Sequence, residues 1–595
     1  MSELRRRSAH ARRVLGVAYC IGLGACGSPV GQGPRETGDM EVGEAEASSD
    51  ASASSDEGAP LCIPGTERCS GEDLEVCAAT GLSWELRACE GAATCRPCEP
   101  MDEDPRCETA AAICSGPCDE MGAPTHAGCS FVTVWLPFGD AQNFASQTLE
   151  VLNPDASETT AVRLQRVALG TREEVDIEGP VELGPGEVVR WPLAAPDWYL
   201  ESSEFRTGDL YRVVSDRPVH VAQTAPASGT NPAVGPSGGS SLLLPERSFR
   251  GDFVVPSAVP KPGSGILKSY FTVVALENDT VVSWTPRVAT TGDSAPIPPA
   301  EPDQTVSVSM NRYDQVRIAG RRLSDAPGEF DLSGTVISAT RPVTVFSGVP
   351  CAIPQPTAQS CDHLQEQLLP LGSWGRRHVV ARPLPRGQGT GVEEPLNLRI
   401  FAGEADLHID ELGGALGGGI DLAERGDWVD LRLDMAAEGL EGLDLRGDGA
   451  FLVVQFLDAR RHFGISGVEE PYSLLYGDSA MVQHPPVEQW QRRYTFATDA
   501  TWPISVLQVV RPIGGPEVTI DGTPLGPWLP LAPTGAQWER AEWTPPAGEA
   551  VHSVVSTEPV GVTLYGHGAL ASLPGSLESG HARMVGVGIA DLFTP

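Results

Sequence analysis

Lysine is nearly absent from this chain. Of its 595 residues only Lys261 and Lys268 are lysines, so almost all of its 42 basic side chains are arginines. We interpret this bias as the codon preference of a GC-rich bacterial genome. The 79 acidic side chains outnumber the basic ones and give a formal charge of −37. A protein that binds nucleic acid must neutralise phosphates, so this balance argues against nucleic acid as a partner.

Sequence motifs of catalysis are missing as well. The chain contains no GxSxG nucleophile elbow, no HExxH zinc motif, no P-loop and no dinucleotide-binding fingerprint. We therefore predict no catalytic residue, no cofactor and no bound metal, and we expect that the protein is not an enzyme.

Long apolar segments are also missing: nothing after the N-terminus approaches the roughly 20 apolar residues of a transmembrane helix. The N-terminus has five arginines followed by a short apolar run over residues 14–23, which is typical of a signal peptide. That run ends in LGAC, which resembles the lipobox of bacterial lipoproteins. We predict a signal peptide over 1–25 and a lipid on Cys26; an ordinary small-residue cleavage site is the alternative.

The segment after Cys26 is predicted to be a disordered tether. Residues 26–61 are mainly Ser, Asp, Glu, Ala and Gly, which cannot bury enough apolar surface to fold. Removing residues 1–25 takes away five arginines and one glutamate, which changes the formal charge to −41. Gly27 follows the cysteine, whereas an aspartate there retains many lipoproteins at the inner membrane. We therefore expect an exported protein, anchored by lipid at the outer membrane or cell surface.

Ten of the fourteen cysteines lie between residues 62 and 129. An even number of cysteines in an exported segment with little core predicts a disulfide-rich module, which we assign to 62–128. The candidate disulfide cysteines are Cys62, Cys69, Cys77, Cys89, Cys95, Cys98, Cys107, Cys114, Cys118 and Cys129. Cys95 and Cys98 form a CxxC motif that could also bind zinc or carry redox chemistry, but no second CxxC accompanies it. The sequence leaves the pairing open.

The rest of the chain is predicted to be all-β. Glycine and proline supply 118 residues, and short runs of Val, Leu, Thr and aromatic residues recur between them. A register of proline, three residues, an aromatic residue, three residues and a strand begins at Pro245, Pro370 and Pro486. This recurrence predicts about four tandem β-sandwich-like units, with a large-bladed β-propeller as the alternative. The predicted units are 129–240, 241–365, 366–482 and 483–595.

A second register predicts turns within these units. Residues 213–221 are similar to residues 554–562, and residues 336–345 show the same pattern with one extra residue. We interpret each as a strand, a tight turn and a second strand that begins at a proline. Hairpins are also predicted across Asn278-Asp279 and across Asp521-Gly522.

One stretch, SGVPCAIPQPTAQSCDHLQEQLLPLGSWGRR, combines several reactive residue types. We predict that Cys351 and Cys361 form a disulfide that closes a proline-rich loop and contributes about 2–3 kcal/mol. Asp362 and His363 are adjacent, so on a strand they point to opposite faces and are poorly placed as a relay. We predict that they make structural hydrogen bonds. A catalytic cysteine, or a metal site of Asp362, His363 and Glu366, is the alternative.

The same stretch carries a resemblance to a known family. FSGVPCA…SCDHLQEQLLPLGSWG, SLLLPERSFRGDFVV, FTVVALENDTVVSWTP and YRVVSDRPVHVAQ are similar to motifs of the IgGFc-binding protein N-terminal domain family. The likeness extends over about residues 129–595. It implies a binding or adhesive β domain, of the kind found in exported bacterial lipoproteins, with no implication that this chain meets antibody.

These features predict a non-enzymatic, lipid-anchored binding or adhesion protein of the cell envelope or surface. Its partner is expected to be a protein or glycan, bound by exposed loops on a rigid β scaffold. A structural protein of the envelope or of an appendage is one alternative. A secreted hydrolase with an active site assembled from distant residues is the other.

Overall fold

The computed structural model divides into two units, Met1–Ala59 and Pro60–Pro595, and the residues it describes all lie in the second. They are 66–70, 73–78, 84–87, 94–98, 112–119, 121–137, 147–194, 202–225, 239–261, 268–292, 296–321, 330–354, 362–383, 394–435, 439–458, 479–499, 502, 504–546, 548–568 and 579–592. The predicted signal peptide, Cys26, the tether, Cys62, Cys89, Cys107 and Cys361 lie outside the described residues. No helix within these ranges is long and apolar enough to cross a membrane.

The cysteine-rich segment consists of short antiparallel strands. They are β1 (Glu67–Ser70), β2 (Asp73–Cys77), β3 (Trp84–Arg87), β4 (Thr94–Pro97) and β5 (Ala112–Ser115). β1, β2 and β3 form one sheet and β4 and β5 form another. Disulfides join Cys69 to Cys95 and Cys118 to Cys129, and Cys77 and Cys98 are also disulfide-bonded. Covalent links stabilise a segment this small because it can bury little apolar surface.

Beyond this segment the chain forms four successive groups of strands, which we call repeats 1 to 4. Repeat 1 contains β6 (Gly128–Val134), β7 (Gln147–Leu152), β8 (Thr160–Val167), β9 (Glu174–Leu183), β10 (Val188–Leu193), β11 (Glu204–Thr207), β12 (Leu210–Ala225) and β13 (Gly239–Leu243). Repeat 2 contains β14 (Phe253–Val254), β15 (Tyr270–Ala275), β16 (Thr280–Thr285), β17 (Val306–Met310), β18 (Asp314–Ala319), β19 (Val336–Ala339), β20 (Val343–Ala352) and β21 (Asp362–Gln367).

Repeats 3 and 4 have a similar succession of strands along the chain. Repeat 3 contains β22 (Gly375–Ala381), β23 (Leu396–Ala402), β24 (Leu407–Glu411), β25 (Ile420–Leu422), β26 (Trp428–Leu433), β27 (Gly442–Phe456) and β28 (Met481–His484). Repeat 4 contains β29 (Gln491–Thr498), β30 (Ile504–Pro512), β31 (Val518–Ile520), β32 (Thr523–Pro524), β33 (Leu529–Pro530), β34 (Trp538–Trp543), β35 (Ala550–Gly568) and β36 (Ser579–Met584). The protein is therefore all-β, as predicted.

Repeats 1, 3 and 4 each contain one long strand whose two halves pair with different strands. In repeat 1, the first half of β12 pairs with β6 and β8, and its second half pairs with β7 and β13. The register shifts between Val214 and Val219, which marks a bulge where the strand passes from one sheet to the other. β27 and β35 do the same in repeats 3 and 4.

The predicted strand, tight turn and strand is therefore wrong in repeats 1 and 4. Pro218 and Pro559 lie inside continuous strands, β12 and β35, where a proline without an N–H can occupy a bulge. Repeat 2 does break, because Thr340, Arg341 and Pro342 separate β19 from β20, and its two sheets are consequently separate.

The two predicted hairpins have opposite outcomes. The prediction across Asn278-Asp279 is wrong, because β15 pairs with β18 and β20 while β16 pairs with β17 and β19 in the other sheet. The chain changes sheets at this point. The prediction across Asp521-Gly522 is confirmed, because β31 pairs with β32 and both turn residues have positive φ, 50° and 76°.

The proline-aromatic register forms the same local structure three times. A 3-10 helix occurs at Glu246–Ser248, at Leu371–Ser373 and at Val487–Gln489. In each case the proline precedes the helix in an extended conformation, and the N–H of the aromatic residue bonds back to the first helical carbonyl. Proline suits the start of a helix for two reasons. Its φ is already fixed near the required value, and its missing N–H would have no partner within the helix.

The last strands of the repeats, β13, β21, β28 and β36, contact one another in a closed cycle, which we call the central ring. The start of repeat 1 meets the end of repeat 4: the His126 N–H donates to Val587 O at 3.0 Å and the Ile589 N–H donates to Pro124 O at 2.8 Å. One cluster of buried apolar residues extends from Phe131 to Ile589, and β11 of repeat 1 pairs with β18 of repeat 2. The repeats thus share a core. The predicted unit boundaries stay a prediction.

Candidate functional site

The cysteine-bracketed stretch lies at the junction of repeats 2 and 3. Cys351 is near the end of β20, is buried, and is disulfide-bonded. The predicted partner, Cys361, lies outside the described part of the chain. Asp362, His363 and Glu366 follow on β21, which pairs with β20 and belongs to the central ring.

We expect the double change Cys351→Ala with Cys361→Ala to lower stability by about 2–3 kcal/mol, which is a few degrees in melting temperature. The physical reason is that the reduced loop gains freedom in the unfolded chain. Calorimetry on both proteins measures the change, and peptide mapping without reduction measures the pairing. A peptide map that joins either cysteine to a different partner contradicts the prediction.

Asp362 and His363 are buried in the core. The His363 N–H donates to Asp362 Oδ1 at 2.7 Å, and His363 Nε2 bonds Gln365 Oε1 at 2.9 Å. Burial lowers the pKa of His363 to about 4, although the bond to Gln365 opposes the shift. The imidazole is therefore neutral near pH 7. Both side chains make structural hydrogen bonds, as the sequence predicted.

Glu366 links neighbouring strands of the central ring. It is 1% exposed, and Ser241 of β13 donates a hydrogen bond to its Oε2 at 2.8 Å. Burial raises the pKa of Glu366 well above its usual value, which the hydrogen bonds from Ser241 and Gln483 only partly offset. The carboxyl is thus held toward its neutral form, as expected for an acid with no counter-charge beside it.

Two glutamines that sequence reasoning missed repeat this role between repeats. Gln367 Oε1 accepts a bond from the Leu244 N–H at 2.5 Å, and Gln483 Oε1 accepts one from the Leu369 N–H at 3.1 Å. The Gln483 side chain also donates to Gln367 O at 2.8 Å. Each glutamine lies three residues before the proline of its register, so the aligned repeats carry a signal that could have found them.

The geometry of the ring suits assembly rather than catalysis. Asp362, His363 and Glu366 are at most 1% exposed, so a macromolecular substrate cannot touch them. Within the described ranges, no group of three or more His, Cys, Asp or Glu side chains could hold a metal ion. What these residues do is form hydrogen bonds with other buried polar groups, and Glu366 does so between two repeats.

A second polar cluster lies where repeat 1 meets repeat 4. Glu150 accepts from Arg190 at 2.8 Å and from Arg583 at 3.1 Å, and Arg190 is 3.5 Å from Asp499. Two cavities share Glu150 and Arg583 in their walls, each of about 290 Å³ including open solvent. The enclosed volume of each is only about 20 Å³, which is room for a water molecule and far below the usual 300–1,000 Å³ of small-molecule sites. The charges there are already paired, so this cluster holds two repeats together.

Three of the nine large apolar side chains that are exposed among the described residues lie in one hairpin. Leu169, Val175 and Ile177 are 59%, 55% and 44% exposed, and all three belong to the β8–β9 hairpin of repeat 1. Clustered exposed apolar side chains are a common mark of a protein-binding surface. This hairpin is therefore the candidate binding surface among the described residues.

A family model described as IgGFc binding protein matches residues 239–566, which is more than half of the chain. The chain belongs to this family. The match starts at the first residue of β13 and covers repeats 2 and 3, most of repeat 4 and three of the four ring strands. The stretch with Cys351, His363 and Glu366 lies inside it.

Two individual proteins show more limited likeness. The human IgGFc-binding protein is 48% identical over 50 residues, which are 8% of this chain and 1% of that protein. The chain therefore spans only a small part of its curated relative. An anti-sigma factor domain-containing protein from Clostridium clariflavum aligns over 55% of this chain and 90% of its own, with 9% identity and a TM-score of 0.10. A similarity that low carries no argument.

Proposed function

We propose that this IgGFc-binding family member is a lipid-anchored protein of the cell envelope that binds a protein ligand and catalyses no reaction. The observation that carries the proposal is the family match over residues 239–566. The family is named for binding, and the rigid shared core of the repeats is a suitable scaffold for a binding surface.

The burial of the acid and base residues supports binding over hydrolysis. Asp362, His363 and Glu366 combine the side chains that a hydrolase would use, yet each is enclosed by the central ring. A general acid or base must come within hydrogen-bond reach of the substrate. Exposed apolar residues, by contrast, are available on the β8–β9 hairpin.

The anchor rests on the N-terminal sequence. LGAC ends at Cys26 and resembles a lipobox, and the acidic segment 26–61 is long enough to hold the folded repeats away from a membrane. The outer membrane or cell surface is the proposed location. A lipid there would present the repeats to a partner outside the cell.

We expect Cys26→Ser to move the protein from the membrane fraction to the soluble fraction or to leave the signal peptide uncut. The reason is that the thiol is the atom that would carry the lipid. Fractionation and the mass of the N-terminal peptide measure both outcomes. A variant that is cut normally and still floats with membranes contradicts the anchor, and Cys20→Ser within the signal peptide serves as the control.

Binding is tested with the full Cys26→Ser chain, so that detergent is not needed. The relative's name makes the Fc fragment of IgG the first probe, with Fab as its control, followed by protein and glycan arrays. Saturable binding to a protein supports the proposal. Binding to glycans alone, self-assembly into filaments, or hydrolysis in activity profiling each overturns it in favour of a different function.

A further inference from the structure

Strand β9 is the longest sheet edge that the structure describes. It has ten residues and is the terminal strand of its sheet, paired only with β8 among the described residues. The other terminal strands there are shorter, for example β10 with six, β17 with five and β26 with six residues. Residues 174–180 are all exposed. An edge of this kind presents unpaired N–H and C=O groups, to which another extended chain can add as a strand.

The β8–β9 hairpin is fixed in place at its tip. Arg172 donates two hydrogen bonds to Asp314 of repeat 2, at 2.7 and 2.9 Å, and Tyr313 donates to Glu174. Arg212 also donates to Glu174, at 2.8 Å. These contacts hold the edge in one geometry before any partner arrives. Binding therefore costs little conformational entropy of β9.

The exposed half of β9 alternates acidic and apolar residues. Glu174 and Asp176 alternate with Val175 where β9 pairs regularly with β8. The register then shifts, because Asp176 pairs with Gln165 and Glu178 pairs with its neighbour Leu164, so Ile177 lies in a bulge. Glu173 precedes the strand and Glu182 lies near its end, and both are exposed. Pro180 has no N–H and restricts pairing in the second half of the strand. The free edge is therefore centred on residues 174–178, where exposed acidic side chains lie beside exposed apolar ones.

We propose that the β9 edge is a docking site for an extended, basic segment of a protein partner, which adds to the sheet as an antiparallel or parallel strand. This inference rests on the proposed function and names the chemistry of the ligand. Backbone hydrogen bonds supply affinity, apolar side chains of the segment cover Val175 and Ile177, and its Arg or Lys side chains meet the acidic residues of this edge.

A second copy of this chain is the less suitable occupant. Two β9 strands side by side would bring together the acidic residues of both, and like charges that face each other across a strand pair are destabilising. The whole chain adds to this repulsion, because its formal charge is −37. Charge complementarity therefore favours a basic partner.

The test uses a fluorescent peptide of about eight residues that alternates Arg and Val, which matches the free edge in length and pattern. A peptide with Glu in place of Arg is the charge control. We expect the first peptide to bind the full Cys26→Ser chain and the second not to bind. Binding should weaken about tenfold or more between 50 and 500 mM salt, because the charges are exposed.

Two variants locate the binding on β9. Val175→Lys with Ile177→Lys should weaken the Arg/Val peptide at least tenfold, because it removes the apolar contact and adds like charge. Glu173→Lys with Glu178→Lys should weaken it and reduce the salt dependence. Ile513→Lys is the matched control, since Ile513 is 45% exposed and Ile177 is 44% exposed. Equal melting temperatures check that all variants are folded.

Equal binding of the peptide to every variant, or equal binding of the Arg and Glu peptides, overturns the edge assignment. That result leaves the proposed function standing if the chain still captures a protein on the arrays. Loss of peptide binding in the two edge variants alone supports the assignment. If the arrays then show no protein partner, the proposed function is wrong, while β9 remains supported as an edge that binds a basic extended peptide.

Discussion

Acidification from about pH 6.5 to pH 4 should destabilise this protein steeply. Six buried histidines have pKa values lowered by desolvation: His126, His363 and His378 to about 4, His484 to about 3, and His220 and His581 well below 6.5. Below pH 6.5 these histidines bind protons in the unfolded chain but remain neutral in the folded chain. The stabilisation from burying these imidazoles in their neutral form is thus complete above pH 6.5, and it is lost as the pH falls toward 4.

The magnitude follows from the number of groups. Each proton bound only by the unfolded state lowers the free energy of unfolding by about 1.4 kcal/mol per pH unit. Six such histidines acting together lower the free energy of unfolding by on the order of 10 kcal/mol over about two pH units, which is comparable with the usual 5–15 kcal/mol stability of a folded domain. Glu366 opposes the trend, because its raised pKa makes the folded state bind a proton more readily. One carboxyl cannot offset six imidazoles.

A single substitution tests the mechanism. His484 Nε2 bonds Gln455 Oε1 at 2.8 Å, so His484→Gln keeps a donor in place and removes the titration. We expect this variant to lose less stability than the original protein between pH 6.5 and 4, measured by urea unfolding at each pH. His408→Gln is the control, because His408 is exposed and bonds Asp421, which raises its pKa.

The His408→Gln control should not flatten the acid transition. A transition of equal steepness in His484→Gln and in the original protein contradicts the role assigned to buried histidine. So does an original protein that keeps its full stability at pH 4.

The histidines show what sequence could and could not predict. In the sequence they are scattered, and nothing local marks them as buried. In the structure His126 and His220 contact each other as tilted rings with centroids 4.3 Å apart, where repeat 4 meets repeat 1. Burial, and after it the nearby His378, lowers the pKa of His484. These pairs depend on contacts between residues far apart in the chain, which periodicity does not encode.

Local signals were more reliable. The proline-aromatic register predicted recurring structure at Pro245, Pro370 and Pro486 because proline geometry and the following aromatic act within a few residues. The Asp521-Gly522 hairpin was predictable for the same reason. The prolines of the second register misled, since a proline inside a bulge and a proline after a turn look alike in sequence.

The ring network was only partly accessible. Asp362 and His363 were correctly predicted to make structural hydrogen bonds, because adjacent strand residues face opposite ways. Gln367 and Gln483 were missed, since polar residues on a strand normally indicate a solvent face. Here that face meets another repeat, and the amide groups satisfy backbone N–H groups there. Aligning residues before each proline would have revealed them.

Arg399 should be among the most stabilising side chains, because it joins repeat 3 to repeat 2 in the core. Its Nη1 is 2.6 Å from Asp331 Oδ2, and its Nε is 2.6 Å from Asp430 Oδ1. The guanidinium also lies 3.8 Å from the centroid of the Trp428 ring. Burial alone would lower the pKa of Arg399, but the two carboxylates outweigh it and raise the pKa.

We expect Arg399→Met to cost about 3–5 kcal/mol, because it leaves the buried Asp331 carboxylate without its counter-charge. Adding Asp331→Leu should recover much of that loss, since an apolar pair of similar volume needs no counter-charge. Urea unfolding followed by tryptophan fluorescence measures both, and Trp428 reports the lost stacking directly. Arg341→Met is the control: Arg341 and Glu277 form a pair at 3.1 Å with side chains 49% and 47% exposed.

The exposed control pair should be worth about 0–1 kcal/mol, because water and salt screen it. Equal losses in Arg399→Met and Arg341→Met would show that burial does not govern this ion pair. A double variant less stable than Arg399→Met alone would show that the carboxylate was not the source of the loss. We expect the stability of the double variant to lie between that of Arg399→Met and that of the original protein. This order follows only if the Asp331 carboxylate of repeat 2 lacks a counter-charge in the single variant.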